Sequence, residues 1–235
     1  MSVALVLSAA LIAAPGPDPL TGPELVATLG EGWWCTWEPS LEGCSEISRY
    51  DFDALTTSGC AGSDIWWIET ALDYGERSGL ASVAEVEPLL IALLAQAEAM
   101  GAEQIKFCHT RAFKIQDDAL CSVSWELVGK PRMRLSRSGA WHDPEDYVVS
   151  GGDSERYWRM WPAMFAEIAA QTPESERSAE EAKAASDPDA LSLICHSFQL
   201  ESDRLRMTSR DQTWELRPLA RPEDGVIVPW QPNVD

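Results

Sequence analysis

The spacing of apolar positions changes several times along the chain, and each change predicts an element. Thr21-Gly-Pro-Glu24 has the spacing of a capping box with proline in the first turn, which predicts a short helix over 22–29 stopped by Gly30. Trp33 to Trp37 reads as a strand, and the loop Glu38 to Gly43 returns it as a hairpin into 44–52. Ser63 to Tyr74 carries two patterns at once. Ile65, Ile68 and Leu72 have helical spacing, whereas Ile-Trp-Trp-Ile also suits a strand. Pro88 to Met100 is the clearest helix, apolar on most sides and closed by Gly101, which predicts a buried helix. Strands follow over 103–115, 119–128 and 131–137. After a loop at 138–152, a helix over 154–171 places Trp158, Trp161, Phe165 and Ile168 on one stripe, with Pro162 kinking it or opening its main segment. A polar helix from Thr172 to about 186 precedes strands near 190–200, 203–209 and 212–218, and a proline-rich tail.

One pattern recurs. Cys108-His109 is followed by Phe113, Ile115, Asp118, Leu120 and Trp125-Glu126-Leu127; Cys195-His196 is followed by Phe198, Leu200, Asp203, Leu205 and Trp214-Glu215-Leu216. Each block comes after an expected helix, and Thr36-Trp37-Glu38 resembles a degenerate third copy. The expected fold class is therefore α+β: an antiparallel sheet built from repeated helix-then-hairpin units, at 82–137 and 154–218, covered by helices.

The amino terminus adds an address. Val3 to Ala14 is apolar except for Ser8 and ends at Pro15-Gly16-Pro17, too short for a membrane span but suited to a secretory signal. The reading is a signal peptide over 1–16 and one globular domain over 17–235, periplasmic or secreted. Six cysteines, Cys35, Cys44, Cys60, Cys108, Cys121 and Cys195, suit disulfides in such a compartment. Flanking a hairpin loop, Cys35 and Cys44 are expected to pair. If the two repeat units lie side by side, Cys108 faces Cys195, which leaves Cys60 for Cys121. The basic residues are 14 Arg against 4 Lys, which with abundant Ala suggests a GC-rich bacterial gene.

Charge narrows the partners. The chain has 38 acids against 18 bases, a net charge of −20, and residues 1–105 alone hold 16 acids and 2 bases. Such a field disfavours nucleic acid and anionic lipid and favours a basic protein partner. Eleven tryptophans also admit a glycan. The doublets Trp33-Trp34 and Trp66-Trp67 are the candidate stacking residues, since neighbours on a strand face opposite ways. Arg132 and Arg134, with Lys130, and Arg204 and Arg206 each alternate with apolar residues, as a basic stripe for a carboxylate or phosphate would.

Catalytic chemistry is poorly indicated. Neighbouring Cys and His on a strand point to opposite faces, so neither Cys-His pair chelates a metal, and the parity packs both imidazoles beside aromatic residues. The loop with Trp141-His142-Asp143 and Ser150-Gly-Gly-Asp-Ser154 lacks a GxSxG elbow, a P-loop lysine and a dinucleotide fingerprint, so helix entry accounts for it. No catalytic residue, metal or cofactor is assigned, and no family resemblance is carried by these motifs. The reading is an exported, disulfide-stabilised binding protein of the envelope, in its concrete form an acidic inhibitor or immunity-type protein for a basic partner. The alternatives are a carbohydrate-active hydrolase or glycan-binding protein, and a small-ligand carrier whose sheet and helices enclose a cavity.

Overall fold

The computed structural model describes residues 18–123, 125–176, 193–209 and 212–229. The expected signal segment, Trp230 and the 177–186 part of the expected polar helix lie outside these residues; Glu174–Glu176 forms one 3-10 turn. In chain order the elements are α1 (Gly22–Leu29), β1 (Trp33–Glu38), β2 (Gly43–Asp51), β3 (Thr56–Asp64), α2 (Trp66–Ser78), α3 (Ala81–Met100), β4 (Gln104–Gln116), β5 (Ala119–Val123), β6 (Arg132–Ser136), β7 (Tyr147–Val149), α4 (Gly151–Gln171), β8 (Leu193–Glu201), β9 (Arg204–Ser209) and β10 (Gln212–Leu219).

Eight of the strands close into an antiparallel barrel in the order β3-β2-β1-β10-β9-β8-β5-β4, because β3 pairs with β4 along its whole length, from Thr56 opposite Ala112 to Asp64 opposite Gln104. The other edge of β4 forks. Its carboxyl-terminal part, from Phe113, pairs with β5, and its amino-terminal part, up to Cys108, pairs with β6, which carries β7 outside the barrel.

The face of β4 that looks into the barrel continues past the fork at Phe107 and Ile105. There it joins Met133, Leu135 and Val149 under α2, α3 and α4 to form the largest apolar core. The helix ends are set locally. Gly79 and Gly101 close α2 and α3 with φ of 64° and 65°, a left-handed conformation that suits glycine. The Ser150 hydroxyl accepts from Asp153 N at the start of α4, which is the helix entry expected for that loop. At the opposite end of the barrel, Thr21 N donates to Glu24 in the expected capping box, and Leu25 and Leu29 of α1 are fully buried against Leu205 and Leu216.

This architecture replaces the expected sheet of repeated helix-then-hairpin units covered by helices. The hairpins β4–β5 and β8–β9 do adjoin through β5 and β8, and both point a Phe and a Leu (Phe113 and Leu120, Phe198 and Leu205) into one core. They diverge afterwards: Trp125 leaves the barrel to pack on Trp158 and Phe165, whereas Trp214 stays in β10. A strand absent from the expectation, β3, closes the ring. Its sequence, TTSGCAGSD, has no apolar alternation because its inward positions are small. Ser63 to Tyr74 splits, with α2 taking the Trp66-Trp67 pair.

All six cysteines are paired, as Cys35–Cys44, Cys60–Cys108 and Cys121–Cys195. The last two pairs exchange partners relative to expectation. The expectation put the strands of Cys108 and Cys195 side by side, but β5 lies between them, so Cys121 faces Cys195 and Cys60 of β3 faces Cys108, each with Cα atoms 4.0 Å apart. Three disulfides are consistent with an oxidising, extracellular or periplasmic setting. Among the described residues no helix is long and apolar enough to cross a membrane.

Candidate functional site

The barrel is filled at one end and hollow at the other. At the α1 end Leu20, Leu25, Leu29, Trp34, Leu205 and Leu216 pack together, and the Trp34 indole donates to Leu29 O at 3.2 Å. Beyond them lies a cavity of about 640 Å³, a size that accommodates a small organic molecule. Its inward positions carry small or polar residues, among them Thr36, Ser45, Ser48, Thr57, Ala61, Ser122 and Ser209. Phe113, Leu120, Phe198 and Met207 form an apolar floor continuous with the packed end.

Four groups with chemistry gather around this hollow. Glu46, Arg111 and His196 line it, and His109 follows Arg111 on the inward face of β4, with its Nε2 3.9 Å from Glu46 Oε1. Trp158 of α4 fills the fork between β5 and β6. It stacks on His109 with centroids 6.0 Å apart and on Phe107 at 4.7 Å, and the Arg111 guanidinium stands 6.0 Å over its ring. The His196 ring lies 5.9 Å from that of Trp214.

Hydrogen bonding here is left incomplete. Both ring nitrogens of His109, Nδ1 of His196 and Nε of Arg111 are buried without a hydrogen-bond partner. Buried polar atoms are normally paired with protein or ordered water, so these atoms are open to water or to a ligand. Burial, reinforced by Arg111, lowers His109 to about 4 against the opposing pull of Glu46, so the ring is neutral at physiological pH. Burial likewise lowers His196. Tyr50, also lining the hollow, is pushed well above its ordinary value by burial and by Glu46.

The residues singled out from sequence scatter. Trp33 lies on the outside of the barrel, edge-on to Trp141 at 5.1 Å, whereas Trp34 is part of the packed end. Trp66 and Trp67 sit together on α2, their centroids 4.9 Å apart, with Trp66 exposed. Arg204 and Arg206 are on β9 and contact Glu215 and Glu201 at 2.7 and 2.5 Å; Arg132 and Arg134 are on β6, so the two pairs share no stripe. Among the described residues no group of His, Cys, Asp and Glu is placed to hold a metal ion.

The site that does form includes Glu46 and Arg111, which sequence reasoning passed over. One signal was present: His109, Arg111 and Phe113 alternate on a strand, so one face reads polar, charged, aromatic. Recognising that face as a lumen requires the barrel to close. No protein family, curated protein or solved structure matches the chain.

Proposed function

We propose that the protein is a small-molecule-binding barrel of an oxidising compartment outside the cytoplasm, with the lumen as its binding site. The observation that carries this reading is the 640 Å³ hollow lined by Arg111 and His196, whose buried Nε and Nδ1 have no partner among the described residues, with His109 beside them in the same state. A barrel selected for stability alone fills its interior with branched apolar side chains, as the α1 end of this one does. Capture of a basic macromolecule by the acidic amino-terminal half rests on charge alone, and acidity serves solubility equally well.

Thermal-shift screening of a small-metabolite library, followed by native mass spectrometry of the hits, tests the reading. A ligand that binds only the folded state raises the melting temperature in proportion to ln(1 + [L]/Kd). Hits are expected to lose binding in Ala61→Phe and Ser122→Phe, which occupy the hollow while leaving the disulfides intact. Hits that bind these variants as tightly as the wild type would place the ligand elsewhere and refute the lumen reading.

A further inference from the structure

Resting on the lumen reading, we infer that the ligand is an organic monocarboxylate with an apolar body, anchored by Arg111. The argument starts from the cation. Among the described residues Arg111 is the one Lys or Arg lining the hollow, and its guanidinium forms no ion pair and donates no hydrogen bond to any of them. Several arginines on the outside of this acidic chain meet carboxylates, with Arg159, Arg204, Arg206 and Arg217 each within 2.7 Å of one, while Arg111, which faces the hollow, meets none among the described residues. A guanidinium without such a partner, with Nε buried and its Cζ 6.0 Å over the Trp158 ring, retains a planar fork of donors suited to a carboxylate.

Charge balance selects the number of negative charges. Glu46 shares the lumen, and burial keeps the two imidazoles neutral, so the described residues of the site offer one cation and one anion. A monoanion on Arg111 leaves the lumen with a single net negative charge, whereas a dianion such as a phosphate monoester doubles the repulsion from Glu46 with no second cation to offset it. Shape selects the body. The floor of Phe113, Leu120, Phe198 and Met207 offers apolar surface but no further donor, which suits a ring or branched chain.

Isothermal titration with matched probes tests the inference: naphthoate against naphthamide, decanoate against decanamide, and naphthyl phosphate as the dianion. The wild type is expected to prefer acid over amide by about tenfold or more, the usual worth of a charge-assisted contact away from bulk water. Naphthyl phosphate is expected to bind more weakly than naphthoate. Arg111→Gln should abolish the acid preference; Arg111→Lys, which keeps charge but loses the fork, should retain part of it. Equal affinity for acid and amide in the wild type, tighter phosphate binding, or an undiminished preference in Arg111→Gln overturns the ligand class. Amide binding that Ala61→Phe abolishes would in that case leave the lumen reading standing. Probes that bind Ala61→Phe unchanged overturn both, and a wild type that binds no probe overturns the monocarboxylate assignment. If Arg111→Gln fails to fold, the acid-to-amide ratio of the wild type decides alone.

Discussion

His109 should make the protein acid-labile by an amount that the structure sets. Its side chain is 2% exposed, so a proton placed there in the folded state loses more in hydration and in repulsion from Arg111 than it gains from Glu46, 3.9 Å away, and the Phe107 backbone. The ring titrates at about 4 when folded against 6.5 for an ordinary histidine. The sign follows from where the proton prefers to be. Below the ordinary value the unfolded chain takes up a proton that the folded chain refuses, so stability is complete above it. It falls with pH across the interval and levels off once the folded ring is protonated too. Between about pH 7 and about pH 4 the loss from this one group comes to about 3 kcal/mol. His196 acts in the same direction. The assay is urea unfolding followed by circular dichroism across that interval, comparing the wild type with His109→Phe, which preserves stacking on Trp158. Carboxylates with lowered values, such as Glu215, contribute equally to both proteins and cancel. The variant should lose about 3 kcal/mol less on acidification. Parallel stability curves for the two proteins would refute the reasoning, because a buried neutral imidazole cannot be removed without changing the slope.

Three further perturbations follow from the same coordinates. Replacing Cys60 and Cys108 by alanine releases a 48-residue loop, and the chain-entropy relation gives a loss of about 4 kcal/mol, read as a lower urea midpoint; an unchanged midpoint would contradict it. Lys106 and Asp146 form an ion pair at 2.8 Å with both side chains 1% exposed, so Lys106→Met should cost about 3–5 kcal/mol by stranding the carboxylate. Adding Asp146→Leu should recover much of that loss, and a double variant no more stable than the single one would count against the pairing as its cause. Finally, a Cβ at Gly62 would sit 2.6 Å from Val228 O, in the segment that pairs with β3 at Pro229. Gly62→Ala should lower stability by about 1–3 kcal/mol and hasten proteolysis near the carboxyl terminus, and wild-type cleavage rates would argue that the segment yields freely.

Most local structure was legible in the chain. The capping box at Thr21, the glycine stop of α3 and the hairpins around Cys35–Cys44 and Asp118 are written in residues a few positions apart, and short-range chemistry decides them. Closure was not legible, because it depends on β3, whose small inward residues Thr57, Gly59 and Ala61 resemble a loop until β2 and β4 flank them. The fork in β4 was hidden for a related reason. Thirteen residues read as one strand, yet its two halves take different neighbours. The resemblance between the two Cys-His segments reflects two barrel hairpins with the same inward Phe and Leu, and it stops where Trp125 and Trp214 part. Arg111 went unnoticed because its meaning lies in what does not touch it, and that is a property of the closed ring alone.

A hollow barrel also has to hold its strands without the packing that a filled one would supply. Small residues at inward positions forgo dispersion contacts, and the unpartnered atoms of His109, His196 and Arg111 carry an uncompensated desolvation cost. The disulfides fall where this deficit is felt. They staple the β1–β2, β3–β4 and β5–β8 seams of the eight-stranded ring, with Cys35, Cys44, Cys60 and Cys121 almost fully buried. Ile227 and the segment around it lie over the first two seams and pack on their cysteines. Covalent constraint on the unfolded chain thus offsets contacts that the interior lacks. An interior free of the need to fill itself can keep the polar and unpaired groups of the lumen in place, which is what the proposed binding role asks of it.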